Sequence, residues 1–182
     1  MQRIRLFWRA GLALALVSLA SLALHAEEKK KVDLDREPDV IFLPTPQEVV
    51  EKMLETANIK KTDVVYDLGC GDGRIVITAA KKYGCKAKGF DIAKKRIEEC
   101  KENLAKEDPK VQKLVTFERA DIFETDLTGA SVVTLYLLPE LNVRLVPQLN
   151  KMKKGTRIVA HAFDMRGYKP DKEITAKTKE DG

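Results

Sequence analysis

The stretch VVYDLGCGDGRIVITAA, residues 64–80, sets a β-branched run, three glycines spaced by single residues, and a second apolar run in immediate succession. A strand read over 64–68 and a helix read over 74–83 leave residues 69–73 to reverse the chain. Gly69, Gly71 and Gly73 supply the left-handed dihedrals that so short a reversal needs. A tight strand-to-helix turn commits the chain to βαβ units, because parallel neighbours are joined only by long crossovers. The rest of the sequence repeats the alternation, with strands read over 87–90, 114–118, 131–137 and 157–162 and helices over 93–106 and 140–152. The fold class that follows is α/β, a doubly wound, mostly parallel sheet covered by helices on both faces. Ahead of it, TPQE reads as a helix start, with Thr45 as cap, Pro46 in the first position and Glu48 completing a capping box. The tail KEITAKTKEDG reads as a polar edge strand over 173–179 ending in Asp181 and Gly182, a pair that ordinarily opens a hairpin. No return strand follows in the sequence, so the expectation is a sheet lacking its last strand.

The beginning of the chain is of another character. Arg3, Arg5 and Arg9 precede an apolar run over residues 10–24, and a charged run follows, the order of a secretory signal. Leu24 stands where a small residue is preferred before a cut after Ala26, so a cleaved signal peptide and an uncleaved membrane anchor both stay open for residues 1–26. Either would make the protein exported or anchored in the inner membrane, and it is cytoplasmic if the segment is no functional signal. Residues 27–41 read as a charged linker and residues 42–182 as one domain. Three of the 33 basic residues lie in the first 26, so the formal charge of +5 falls to +2 without them. Lysines and glutamates are interspersed in KKRIEECKENLAKEDPK, which describes a solvated helix face more than a nucleic-acid surface. Cys70, Cys85 and Cys100 are widely spaced without a CxxC pair, which argues against a zinc site and a disulfide framework.

The glycine turn carries acids. Asp67 stands at the tip of the first strand and Asp91 at the tip of the second, the spacing at which a carboxylate accepts hydrogen bonds from two ribose hydroxyls. Asp91 is also placed to cap the following helix, and one residue can do both. A dinucleotide site places pyrophosphate on the helix N-terminus with no carboxylate just before the glycines. Here the pattern is D-x-G-x-G-x-G, and Asp67 and Asp72 would repel phosphate but attract an ammonium. The ligand that fits is S-adenosylmethionine, which joins an amino acid to a ribose.

VVYDLGCGDGR, KGFDI and ERADIFE resemble the motifs of the class I S-adenosylmethionine-dependent methyltransferases, which are Rossmann-like. The resemblance implies that Asp121 and Ile122 contact the adenine. FLPTPQEVVEKML, DLGCGDGRIVITAA and VVTLYLLPELNVRLVPQL are similar, more narrowly, to small lysine methyltransferases related to those acting on the adenine nucleotide translocase. That likeness implies that the segment before the turn lines the cleft, with Thr45 near the methionine carboxylate, and that the acceptor is a protein lysine.

Methyl transfer asks the protein to align nucleophile, methyl carbon and sulfur and to exclude water, so neither a nucleophilic triad nor a metal is expected. Tyr136, Leu137, Leu138 and Pro139 follow the fourth strand on the edge of the glycine turn. Tyr136 there offers a hydroxyl or an aromatic wall to an amine, and the leucines a dry surround. His161, near the end of the fifth strand, is placed to accept a proton or orient substrate, and a satisfied core histidine is an equal reading. No Asn-Pro-Pro-Tyr type signature is present, so nucleic acid is not the favoured acceptor. Two alternatives stay beside the protein-lysine reading: a small-molecule amine as acceptor, and a catalytically silent nucleotide-binding or structural domain. Oligomeric state is not legible.

Overall fold

The computed structural model describes residues 2–8 and 32–178, the side chains of residues 6–8 excepted. The apolar run over residues 10–24, the cut after Ala26 and the Asp181–Gly182 pair lie outside the described residues. Among those described, no helix is long and apolar enough to cross a membrane.

The elements in chain order are β1 (Gln2–Trp8), α1 (Gln47–Thr56), β2 (Val64–Leu68), α2 (Arg74–Tyr83), β3 (Lys86–Asp91), α3 (Lys94–Ala105), α4 (Pro109–Gln112), β4 (Val115–Arg119), β5 (Val132–Leu135), α5 (Pro139–Leu149), β6 (Arg157–His161) and β7 (Lys172–Ala176). The strands form one sheet in the order β4-β3-β2-β5-β6-β1-β7. The first five are parallel, and β1 runs antiparallel to both β6 and β7. Strand order reverses between β2 and β5, and ligands of such sheets bind outside the carboxyl ends at that reversal.

Alternation along the strands builds the two faces. Val65 and Val132 point to the layer of α1 and α2, where Val49, Val50, Met53, Leu54, Ile75 and Val76 are buried. Leu68, Val133 and Leu135 point to the opposite layer, closed by Leu141, Leu145 and Leu149 of α5. Glycines in the left-handed conformation bound α2 at both ends, Gly73 at φ 81° and Gly84 at φ 66°. Lys81 and Lys82 in its last turn complement the helix dipole.

Two expectations are corrected. Among the described residues the sheet has seven strands, and the place beside β6, expected to be empty, is filled by Gln2–Trp8. This segment alternates around a fully buried Ile4, which packs into the core with Val49 and Val159. The flanking Arg3 and Arg5 reach Glu173 at the sheet edge, at 3.8 and 3.3 Å. Thr45 does not cap α1: Pro46 takes the cap position without a side-chain hydrogen bond, and its carbonyl accepts from the Val49 and Val50 amides.

At the amino ends of β2, β5 and β6 a buried ion pair ties the layers. The Arg157 guanidinium pairs with Asp63 and also donates to the carbonyls of Ala57, at 2.6 Å, and Asn58, at 2.9 Å. Ser131 Oγ donates to Asp63 Oδ1 at 2.7 Å, and the Lys60 amide donates to Oδ2 at 2.6 Å. Burial alone would raise the Asp63 pKa, but these hydrogen bonds and the guanidinium outweigh it and hold the carboxyl below its ordinary value. A depressed carboxylate stabilises the fold at neutral pH, and that contribution is lost as pH falls through its folded pKa. Arg157→Ala strips the cation from a buried carboxylate and is expected to cost about 3 kcal/mol. A lowered urea midpoint with an unchanged slope would show it.

Candidate active site

At the carboxyl ends of the parallel strands lies a cleft of about 510 Å³. Its floor is the glycine turn, in which Gly69, Gly71 and Gly73 all have positive φ, at 77°, 57° and 81°. Close packing fixes the turn as well as dihedral need. A Cβ on Gly71 would lie 2.2 Å from the Phe42 ring, and one on Gly73 would lie 2.6 Å from Phe117. Asp91 Oδ2 accepts the Gly71 amide at 3.0 Å and Oδ1 accepts the Ala93 amide at 2.9 Å, so one carboxylate braces the turn and the start of α3 together. Its pKa is raised because burial outweighs those two backbone bonds.

The acids divide into paired and unpaired. Asp72 is bound by Arg74, whose Nε donates to both carboxyl oxygens at 3.0 Å, and whose Nη1 donates to the Thr45 carbonyl at 2.9 Å. Burial works against ionisation of Asp72, yet the Arg74 bonds overcome it and lower the pKa. Asp72 is therefore ionised, with its charge shared with Arg74. Asp67 is different. It is 2% exposed, bonded to Thr134 Oγ1 at 2.7 Å in register on β5, and bonded to no cationic side chain among the described residues. Burial, opposed by the Thr134 bond and reinforced by the charges of Asp91 and Asp72, raises its pKa to about 7.

The cleft brings together Thr45, Asp67, Gly69, Asp91, Asp121, Ile122, Tyr136 and Leu137 from the residues singled out in sequence. Gly71 and Gly73 shape the turn from behind, under Phe42 and over Phe117. Leu138 is exposed and starts α5 as its cap, and Pro139 is the first residue of that helix. His161 does not reach the cleft. It is 1% exposed behind Tyr136, ring centroids 4.0 Å apart, with Nδ1 3.3 Å from Thr45 Oγ1 and Nε2 3.2 Å from Gln2 Oε1. Burial lowers its pKa to about 4, so the ring is neutral at physiological pH.

Sequence reasoning missed the wall opposite the turn. Residues 36–41, read as linker, line the cleft: Arg36 pairs with Asp121 at 2.9 Å, and Asp39 with Arg36 at 2.9 Å and Arg144 at 3.5 Å. Phe42 lies under the Arg96 guanidinium, 4.5 Å from the ring centroid, and over Gly71. The aromatic residue three positions before Thr45 was the available signal. Cys70 and Cys100, thirty residues apart, also meet beneath the turn with sulfurs 3.8 Å apart, and Cys100 Sγ donates to the Gly71 carbonyl at 3.1 Å.

These residues fit S-adenosylmethionine. Each Asp91 oxygen accepts one backbone bond and keeps a lone pair for a ribose hydroxyl, Ile92 and Ile122 offer apolar surface to a base, and the unpaired Asp67 suits the cationic amino end. When bound, the cofactor supplies a methyl group made electrophilic by its sulfonium. Fold and site together define the class of S-adenosylmethionine-dependent methyltransferases.

Similarity to known proteins makes the assignment particular. The family described as the ANTKMT methyltransferase domain matches residues 67–172. A protein-lysine N-methyltransferase of Saccharolobus islandicus is 45% identical over 139 residues, 75% of this chain and 85% of that protein. A Caenorhabditis elegans lysine N-methyltransferase named for an ATP synthase component is 25% identical over 160 residues, 86% and 80% of the two chains. A crystal structure of an RNA methyltransferase from Salinibacter ruber with S-adenosyl-L-homocysteine superposes at a TM-score of 0.70 with 44% identity, over 73% of this chain and 86% of that one. The chain belongs to the ANTKMT methyltransferase domain family and is an S-adenosylmethionine-dependent enzyme.

The raised pKa of Asp67 has a signed consequence. The apo fold favours the protonated acid, so its stabilising contribution is present below about pH 4 and is lost as pH rises through about 7. A cationic amino group favours the ionised acid, so binding releases a proton below that pH. Affinity for S-adenosylhomocysteine should therefore rise from pH 6 to about 7 and then level off. Calorimetry in two buffers of different ionisation enthalpy should report the released proton. Asp67→Asn should weaken binding by about 1.5–3 kcal/mol and flatten the profile.

Proposed function

We propose that this enzyme methylates the ε-amino group of a lysine carried by a protein. The observation that carries the reading is the rim of the cleft. Ile41, 90% exposed, and the exposed Leu43 line the cleft together with Tyr136 and Leu137. A lysine must lose a proton before it attacks, which costs about 4 kcal/mol at neutral pH from its ordinary pKa. An apolar rim disfavours the ammonium and lowers that cost. Tyr136 is half-buried, and burial raises its pKa, so its hydroxyl stays neutral at neutral pH, and its oxygen can accept an amine N–H and so aim the lone pair without adding charge. Relatives named for protein lysine support the same acceptor.

A small-molecule amine would use the same cleft. An RNA acceptor has one support, the naming of the Salinibacter ruber protein as an RNA methyltransferase. The formal charge of only +2 beyond residue 26 gives little electrostatic attraction for a phosphate backbone.

The full chain incubated with methyl-labelled cofactor and a lysate of the native cells should label protein, and mass spectrometry should place the methyl group on lysine. Tyr136→Phe should lower kcat about tenfold while leaving affinity for S-adenosylhomocysteine within about twofold. Label confined to RNA or to a small molecule would contradict the lysine assignment while keeping the enzyme.

A further inference from the structure

We propose that Gln2–Trp8 is a working strand of the methyltransferase domain, and that Gln2 is a positioning residue that fixes the tautomer of His161 and through it the orientation of the Thr45 hydroxyl at the cleft wall. The proposal rests on the cofactor cleft and not on the identity of the acceptor.

The first support is the pairing. β1 is bonded on both sides, with Ile4 opposite His161 on β6 and opposite Ile174 on β7. Among the described residues no pairing joins β6 to β7 directly, so β1 is what attaches β7 to the sheet. Without it both neighbours would present open edges.

A second and independent support is Ala162, the residue after β6. It has φ 60°, a left-handed conformation that alanine disfavours and that persists only when neighbours hold it. The holding groups come from β1. The Ala162 amide donates to the Arg3 carbonyl at 2.6 Å, and its carbonyl accepts from Arg5 Nη1 at 2.6 Å. The chain thus turns away from the end of β6 in a geometry clamped from both sides by the amino-terminal segment.

The third support is the chain of side chains Gln2, His161, Thr45. A carboxamide oxygen only accepts, so Gln2 Oε1 facing His161 Nε2 requires the hydrogen on Nε2. Burial keeps the ring neutral, which leaves Nδ1 as an acceptor, and Thr45 Oγ1 donates to it. The Thr45 hydroxyl hydrogen is then engaged behind the wall, and what the hydroxyl of this cleft-lining residue has left to offer is an acceptor lone pair. An acceptor suits a cationic amino group, in keeping with the nearby Asp67, and does not suit the carboxylate that the family resemblance places beside Thr45. Tyr136, its ring tilted at 40° against that of His161, ties the same unit to the cleft surface.

The segment proposed to work as a strand is the one that reads in sequence as the charged flank of a leader. A cut after Ala26 would remove it, and a membrane span over residues 10–24 would put it on the opposite side of the bilayer from the sheet. The two roles exclude each other in one folded molecule, which makes the proposal testable at several points. Mass spectrometry of the protein recovered from its native cells should show residues 2–8 present. In the full chain, long-range proton–nitrogen NMR should show His161 with its hydrogen on Nε2.

Gln2→Leu keeps the backbone pairing and should convert His161 to a mixture of tautomers. It should weaken S-adenosylhomocysteine binding about fivefold, with the melting temperature nearly unchanged. Gln2→Glu, which still accepts from Nε2, should restore both the tautomer and the affinity. Removal of residues 2–8 should speed hydrogen exchange of the β7 amides at least tenfold. An unchanged tautomer and affinity in Gln2→Leu would overturn the positioning role. A native protein beginning after Ala26 that binds as tightly as the full chain would overturn the strand. Either result leaves methyl transfer to lysine to be judged by its own labelling assay.

Discussion

The turn from β2 into α2 governs the molecule, because three residues there adopt left-handed dihedrals within five positions and only glycine does so without strain. The same absence of side chains lets neighbours close in. Phe42 lies against Gly71, Phe117 against Gly73, and Asp91 accepts the Gly71 amide. The turn is thus held by a strand tip, by the segment before α1 and by a ring from β4. A bare backbone path beside a carboxylate is the result, at the point where the sheet changes direction.

Charge at the cleft is arranged by pairing. Of the aspartates that line it, Asp121 pairs with Arg36, Asp39 with Arg36 and Arg144, and Asp72 with Arg74. Arg74 also holds the Thr45 carbonyl, so the residue that quiets Asp72 joins the segment ahead of α1 to the turn. Asp91 spends one lone pair of each oxygen on backbone amides. Asp67 is left with a hydroxyl partner in a buried place, which holds its ionisation back to about pH 7 and lets an arriving cation favour it below that pH.

Much of this is legible in the chain, and the reasons differ by element. β2 and α2 fall on the bounds read from sequence, since an apolar period and glycines at both helix ends leave little choice. β5 ends earlier than its apolar run, at Leu135, because Pro139 requires the chain to turn into α5. The strand at Gln2–Trp8 is not legible. Its arginines precede an apolar run and read as the flank of a leader, and its partner His161 lies more than 150 residues away. Arg74, the residue after the last glycine, reads locally as the first residue of a helix. Its bond to Thr45 spans 29 residues, and no periodicity reports such a contact. Thr45 reads as a cap, and the hydroxyl serves His161 instead because Pro46 already begins the helix.

The cleft's chemistry turns on carboxylates that favour an amino acid joined to a ribose over a pyrophosphate. Titration calorimetry of the full chain with S-adenosylhomocysteine and, separately, with NAD measures that choice directly. The expected result is binding of S-adenosylhomocysteine at least tenfold tighter than NAD, about 1.4 kcal/mol or more. Equal or tighter binding of NAD would contradict the assignment of Asp67, Asp91 and the glycine turn to a methyl donor.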